Sequence, residues 1–324
     1  MPTTALHPSI EMIDRTVFPA TVRFKNNTPV QQLSESFHLH EAEFEELLRE
    51  QGAILFSGLA IESREDFENT VRIPGKNFAN YVDGNSPRTK LSDVVYTSTE
   101  FDPAQTITMH NELSYSSTWP ARIFFSCIKP SETGGETPLA DGRSVLQKLD
   151  QTLVNKVRAA GVIYYRNLHG GDGFGPSWQD TFETNSREEV EDFCKKADII
   201  FEWVPGNAIR LVQKRQGIVR HPGTGQEVWF NQMDQFHPSQ MGDDIYEVLM
   251  SMYGEEKNLP TYVTYGDGSP IDKKTIQHIK SIFDEVSVAR PWNKGDLVLV
   301  DNVLVSHGRK PYTGDRKILV AMMK

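Results

Sequence analysis

The sequence predicts a mainly β protein, a sandwich or jelly roll carrying helical insertions. Short strand-like runs separated by turn residues recur along the chain, at 105–109, 122–128, 161–166, 199–204, 209–213, 227–231, 296–300 and 317–322. Helical segments fall irregularly among them. The regular strand–helix alternation of a doubly wound sheet is absent.

The helices are read from apolar spacing. Phe44, Leu47 and Leu48 predict a helix over 41–50; Gly52 ends it, and Ala53-Ile54-Leu55-Phe56 reads as a strand. Residues 144–160 set Val145, Leu146, Leu149, Leu153, Val154 and Val157 on one face. Ser186 and Glu189 have capping-box spacing ahead of Val190, Phe193, Cys194 and Ala197. Two later helices are predicted over 243–253 and 272–284. The 324 residues contain no internal repeat, low-complexity tract or long linker. The chain is therefore expected to form one domain over 1–324: an N-terminal extension and helix over 1–50, then a jelly-roll core with helical insertions over 51–324.

Composition narrows the function. Hydrophobic residues make up 38% and charged residues 24%, and no apolar run approaches a bilayer span. The first 18 residues lack the apolar stretch of a secretory signal. The two cysteines, Cys127 and Cys194, sit in apolar surroundings and read as buried fillers, so a disulfide framework or thiolate cluster is not expected. A cytoplasmic location follows as the expectation. A net charge of −10 argues against nucleic acid as a partner. A homo-oligomer is compatible with everything here.

The chemistry centres on His110-x-Glu112. Residues two apart on a strand face the same way, so this pair can reach one ion. A distant third ligand is available in His307, which follows a strand and turn, Gly295-Asp-Leu-Val-Leu-Val-Asp-Asn302. Two neutral imidazoles and a carboxylate on one side of an ion leave positions free opposite them, an arrangement suited to non-haem Fe(II). Taken alone, His-x-Glu is weak, since many strands carry such a pair at the surface. His38-x-His40 has the same spacing but no convincing third partner; it reads as solvated loop and helix start. The glycine-rich run 170–175 lacks the Gly-Lys-Ser/Thr ending of a phosphate loop and reads as a mobile loop, with an active-site lid as the functional alternative. Trp203, Trp229 and Phe230 read as core.

Larger blocks strengthen the assignment. His110-Asn-Glu-Leu-Ser-Tyr115, Gly134-Gly-Glu-Thr-Pro-Leu-Ala-Asp141 and the run from Asp301 through His307-Gly-Arg-Lys-Pro-Tyr-Thr-Gly-Asp-Arg316 resemble the TauD/TfdA superfamily, in particular its clavaminate-synthase-like branch, which carries Glu in the His-x-acid pair. Val95-Tyr-Thr-Ser-Thr-Glu100, Trp229-Phe-Asn-Gln232 and Tyr265-Gly-Asp-Gly268 resemble SyrP-like amino-acid hydroxylases. The matched blocks keep a consistent order over roughly residues 50–324.

This resemblance implies a distorted double-stranded β-helix, a cupin-like jelly roll. It implies Fe(II) held by His110, Glu112 and His307, with 2-oxoglutarate and dioxygen as cosubstrates. Thr137 matches the threonine that hydrogen-bonds the cosubstrate carboxylate, and Arg316 the arginine that pairs with its distal carboxylate; Arg309 is the alternative for that role. A fixed, planar guanidinium is a chemically apt partner for a buried carboxylate. The region before the metal strand contributes to substrate pockets in such proteins, which makes Arg88, Ser98 and Asn111 substrate-contact candidates. The implied reaction couples decarboxylation of 2-oxoglutarate to hydroxylation of an unactivated carbon of a small molecule. An amino acid, free or bound to a carrier protein, in natural-product biosynthesis is the expected substrate. The retained Glu112 argues against halogenation, because halogenases of this superfamily have a small residue there. Desaturation or epoxidation at the same centre is the enzymatic alternative, and a metal-binding jelly-roll sensor the non-enzymatic one.

Overall fold

The computed structural model describes residues 6–75 and 77–324. Its largest element is a seven-stranded sheet. In spatial order its strands are Ile10–Asp14, Ala20–Thr28, Ala53–Leu59, Leu297–Asp301, Arg122–Lys129, Lys317–Met323 and Val95–Thr97. A three-stranded sheet has Val305–Arg309 between Ile107–His110 and Leu139–Asp141. A four-stranded sheet runs in the order Ile200–Val204, Ala208–Arg215, Val162–Leu168 and Thr261–Tyr265. Mainly β architecture with interspersed helices was the expectation, and it is what the chain adopts.

Both faces of the large sheet are buried, and strand alternation decides which residue goes where. Ile123, Phe125, Val298, Val300, Ile318, Val320 and Met322 join the apolar cluster that also contains Met109, Leu139 and Val305 of the small sheet. Phe124, Leu297, Leu299, Leu319 and Ala321 point the other way. There they pack with Phe37, Phe44 and Leu47 of the helix Val30–Gln51 and Phe67 of the helix Arg64–Val71. This double burial explains why the central strands read as unbroken apolar runs. A separate cluster joins Leu168, Ile209 and Leu211 of the four-stranded sheet to Trp178, Val190 and Cys194 of two inserted helices.

The N-terminal part differs from the expectation. The boundary drawn at residue 51 falls within the large sheet, because Ala20–Thr28 pairs in parallel with Ala53–Leu59. The first helix begins at Val30 rather than near residue 41, and His38 and His40 lie inside it instead of in a loop. His40 is buried, departs from helical geometry at φ −111°, and is satisfied by Glu43 and the amide of His7. Gly52 closes the helix at φ +75°, where its amide reaches Leu48. The segment 144–160 is two helices, Gly142–Lys148 and Gln151–Ala160, because Asp150 caps the second through the amides of Thr152 and Leu153. Ser186 caps its helix as expected, accepting from the Glu189 amide, but Glu189 bonds Thr184 rather than completing the box. Trp229 and Phe230 are core, as read. No helix among the described residues is long and apolar enough to cross a membrane.

Candidate metal centre

The two histidines meet through strand register. Val305–Arg309 pairs antiparallel with Ile107–His110 so that His307 lies opposite His110. Their ring centroids are 4.4 Å apart. Just beyond His110 the chain turns through Leu113, whose φ of +58° is unusual for a non-glycine residue. Glu112 lies at the start of that turn, beyond the strand that carries His110. One ligand atom from each of His110, Glu112 and His307 lies within 4.8 Å of the other two, and all three residues are buried.

Asn302 holds the turn. Its Oδ1 accepts from the Glu112 amide at 2.7 Å, and its Nδ2 donates to the carbonyls of Glu112 and Pro120. This fully buried amide therefore grips Glu112 through both backbone groups. In the sequence Asn302 is only the end of the strand-and-turn run before His307; nothing local shows that its side chain bridges 190 residues. Replacing it with alanine leaves several buried polar groups unpaired. Asn302→Ala should lose about 2–4 kcal/mol of stability, and about 10–100-fold in Fe(II) affinity, in denaturant melts and anaerobic metal titrations. Unchanged metal affinity would show that the grip does not position the carboxylate.

Electrostatics favour a cation. Burial, followed by the proximity of His307, pushes the His110 imidazole down to about 4. It is therefore neutral, as a metal ligand must be, at physiological pH. His110 Nδ1 donates to the carbonyl of Thr108, which leaves Nε2 for an ion, and Gln235 Nε2 donates to the same carbonyl. Burial would raise the Glu112 carboxyl, but Arg88, ahead of the histidines, overrides it and holds the group well below the usual carboxylate range. Both ring nitrogens of buried His307 lack a hydrogen-bond partner. An orphaned buried imidazole beside a carboxylate and a second imidazole fits a divalent ion.

The lowered His110 value gives a test. In the metal-free protein its imidazole should titrate near pH 4 by NMR, not near 6.5. Because the folded value lies below the unfolded one, the contribution to stability is full above about pH 6.5 and is lost as pH falls toward 4. A midpoint at or above 6.5 would mean that the site is wet.

The remaining residues separate into distinct roles. Arg88 pairs with Glu112, NH2 to Oε2 at 2.5 Å, and lies over the Tyr81 ring at 4.5 Å. Its Nε and NH1 are buried without partners. The segment leading to it is pinned by the buried Arg166–Asp83 pair and by Tyr115, whose hydroxyl donates to the Asp83 carbonyl. Arg88, Ser98, His110, Thr137, His307 and Arg316 line one small cavity. Arg316 donates to the Gly135 carbonyl and to Ser98 Oγ but has no carboxylate partner among the described residues. Burial, then the charge of Arg309, lowers its guanidinium to about 10. Gly135, at φ +74°, allows this approach: a Cβ there would come within 3.0 Å of the Arg316 side chain. Thr137 accepts from Trp292 Nε1 at 3.2 Å.

Three expectations change. Ser98 lies against Arg316, at the end of the cavity expected for the cosubstrate. Asn111, between two ligands that face one way, points the other way and donates to the Asn302 carbonyl. Arg309 spends NH1 and NH2 on the carbonyls of Thr99, Phe101, Asp102 and Gln105, which leaves only its Nε without a partner and no two-pronged fork for a carboxylate. The glycine-rich residues 170–175 line neither this cavity nor the larger cleft beside it.

Comparison with known proteins agrees with this geometry. Residues 18–323 match the model of the family described as taurine catabolism dioxygenase TauD, TfdA family. The chain is 36% identical over 291 residues to the dapdiamide synthesis protein DdaC of Enterobacter agglomerans, covering 90% of this chain and 87% of that protein. It is 29% identical over 287 residues to a clavaminate synthase-like protein of Arabidopsis thaliana, covering 86% and 83%. In fold it is similar to PvcB of Pseudomonas aeruginosa, with a TM-score of 0.51 at 14% identity, covering 94% of this chain and 84% of that one. A taurine dioxygenase of Burkholderia xenovorans gives a TM-score of 0.51 at 14% identity, covering 98% and 89%. The buried His-Glu-His cluster on a jelly-roll frame and the match over nearly the whole chain make this protein a member of the TauD/TfdA family of Fe(II)- and 2-oxoglutarate-dependent oxygenases.

Proposed function

We propose that this oxygenase hydroxylates an unactivated carbon of an amino acid, free or as an aminoacyl group on a carrier protein, in natural-product biosynthesis. In this reading His110, Glu112 and His307 hold Fe(II), Thr137 and Arg316 hold 2-oxoglutarate, and Arg88 receives a carboxylate or carbonyl oxygen of the substrate. With both groups bound, the metal would supply dioxygen activation coupled to oxidative decarboxylation of 2-oxoglutarate to succinate and carbon dioxide. The chain itself binds, orients and excludes water. Arg316 fixes the distal end of the cosubstrate. Phe125, Ile318 and Val320 form an apolar part of the cavity wall.

The observation that carries the substrate assignment is Arg88. Its two unpartnered donors are buried in the wall of the metal cavity. Charges there do not cancel without a further anion. Glu112 offsets Arg88 and the dianionic cosubstrate offsets Fe(II), which leaves the charges of Arg316 and Arg309. A substrate carboxylate would reduce this excess and satisfy the free donors of Arg88. The similarity to a dapdiamide synthesis protein supports a biosynthetic setting. The two buried free thiols suit a cytoplasmic one.

The test is aerobic incubation of the Fe(II) protein and 2-oxoglutarate with free and carrier-bound amino acids, measuring succinate and product mass. Hydroxylation predicts succinate matched by a product one oxygen heavier. A product two hydrogens lighter would establish desaturation instead. Succinate formation that no carboxylate-bearing or aminoacyl compound stimulates would remove the proposed substrate class.

A further inference from the structure

Beside the metal cavity lies a cleft of about 850 Å³, within the usual range for a small-molecule site. The two share Ile107 and Arg309 as walls. One side of the cleft is the metal strand itself, through Ile107, Thr108 and Met109; another is the helix Lys273–Val286, through Lys280 and Phe283. The short helix Met233–Phe236 contributes Asp234 and Gln235. Gln235 is the residue that shares the Thr108 carbonyl with His110, so this wall is coupled to the metal ligand.

Asp234 sits in the first turn of the helix Met233–Phe236 without a charged partner. It is only 2% exposed, its Oδ2 lacks a hydrogen-bond partner, and no Lys, Arg or His forms an ion pair with it among the described residues. Burial pushes its carboxyl up to about 6, against the hydroxyl of Thr108. An unpaired buried carboxylate is costly, and evolution of a packed wall would ordinarily replace it with an apolar or amide side chain. A second unsatisfied atom lines the same cleft. Gln240 Oε1 accepts from Lys280 Nζ at 3.0 Å, while its Nε2 is buried without a partner. The cleft thus offers the buried Asp234 carboxylate, the Gln240 amide and the Lys280 ammonium, with Asp284, Arg309 and Lys310 also in its lining and Met109, Phe101, Pro138 and Phe283 as its apolar part.

We propose that this cleft is a second recognition subsite in which Asp234 binds a primary ammonium of the substrate, while Gln240 and Lys280 bind an oxygen a few bonds away. The ligand class is an α- or β-aminoacyl unit, its apolar portion lying on Met109 and Phe283. This deepens the amino-acid reading above and rests on it. It adds that the amine must be free: an N-acylated compound would leave Asp234 unpaired. Asp234 touches substrate only at this distal end and has no part in holding the metal.

The experiment is equilibrium dialysis of L-alaninamide and of propionamide, its deaminated counterpart, against the anaerobic Fe(II)·2-oxoglutarate protein. L-Alaninamide should bind saturably and at least about tenfold more tightly than propionamide, the scale of one charge-assisted hydrogen bond. Asp234→Asn should remove that preference. Gln240→Leu should weaken both probes, which keeps the test alive if the first variant does not fold. Equal binding of the two probes by the wild-type protein, or an unaltered preference in Asp234→Asn, would overturn the subsite. Failure of the amino-acid reading would look different: succinate formation would respond to no amino acid or aminoacyl compound, whatever the probes bind.

Discussion

Glu112→Ala should abolish turnover and weaken Fe(II) binding by more than the roughly 10–100-fold loss typical of an outer-shell partner. The carboxylate supplies the negative charge and one of three ligand groups in a buried cluster, with two neutral imidazoles remaining. The same substitution should also destabilise the metal-free fold by about 3–5 kcal/mol, because it strips Arg88 of its carboxylate where neither side chain reaches water. These effects have different origins and can be separated. In Glu112→Ala/Arg88→Ala the buried cation is gone as well, so much of the lost stability should return while metal binding stays lost. The folded Glu112 carboxyl sits below its unfolded value. Its contribution to stability is therefore complete above about pH 4.3 and disappears as pH falls further, so the gap between wild type and variant should narrow in acid. Melting curves across pH, with anaerobic Fe(II) titrations, measure both. Wild-type turnover in Glu112→Ala would show that the carboxylate is not a ligand.

Arg88 marks where sequence reading ran out. His110, Glu112 and His307 were legible because the blocks around them resemble the TauD/TfdA motifs; the spacing of the first two alone was a weak signal, and Glu112 lies in the turn beyond the strand that ends at His110. The loop that carries Arg88 has no period. Its route to Glu112 depends on Asp83 meeting Arg166 on the four-stranded sheet and on Tyr115 reaching the Asp83 carbonyl, contacts 83 and 32 residues apart. The central strands were legible because both their faces are apolar. Ile10–Asp14 and Val305–Arg309 were missed because each is short and carries charged or polar residues among its apolar ones. The first helix was truncated because His38, His40 and Glu41 read as loop polarity, whereas Leu33, Phe37, Phe44 and Leu48 form its buried stripe. Ser98 lines the metal cavity, whereas the Asn111 side chain turns to the Asn302 carbonyl. Side-chain direction at a turn follows from hydrogen-bond partners that sequence does not display.

Arg316→Ala should leave Fe(II) binding nearly unchanged and lower 2-oxoglutarate affinity by a factor between about 30 and several thousand, the equivalent of roughly 2–5 kcal/mol. The argument starts from what Arg316 lacks. Its Nε and NH1 meet only a carbonyl and a hydroxyl, burial already depresses it, and the second nearby cation, Arg309, adds repulsion. A dicarboxylate with one end at the metal would bring the missing anion, and the planar guanidinium can meet its distal carboxylate with two parallel bonds. Arg316→Lys should recover only part of the affinity, since an ammonium keeps the charge but not the fork. Arg309 provides the contrast. Its guanidinium clamps four carbonyls of the segment from Thr99 to Gln105, so Arg309→Ala should show itself first as lower stability and faster proteolysis of that segment. The measurement is a 2-oxoglutarate titration of the anaerobic Fe(II) protein, following the charge-transfer absorbance expected on chelation, beside a melting curve for each variant. A large midpoint shift in Arg309→Ala with none in Arg316→Ala would exchange the two roles. No shift in either would place the distal carboxylate elsewhere in the cavity, with Arg88 the remaining buried cation able to receive it.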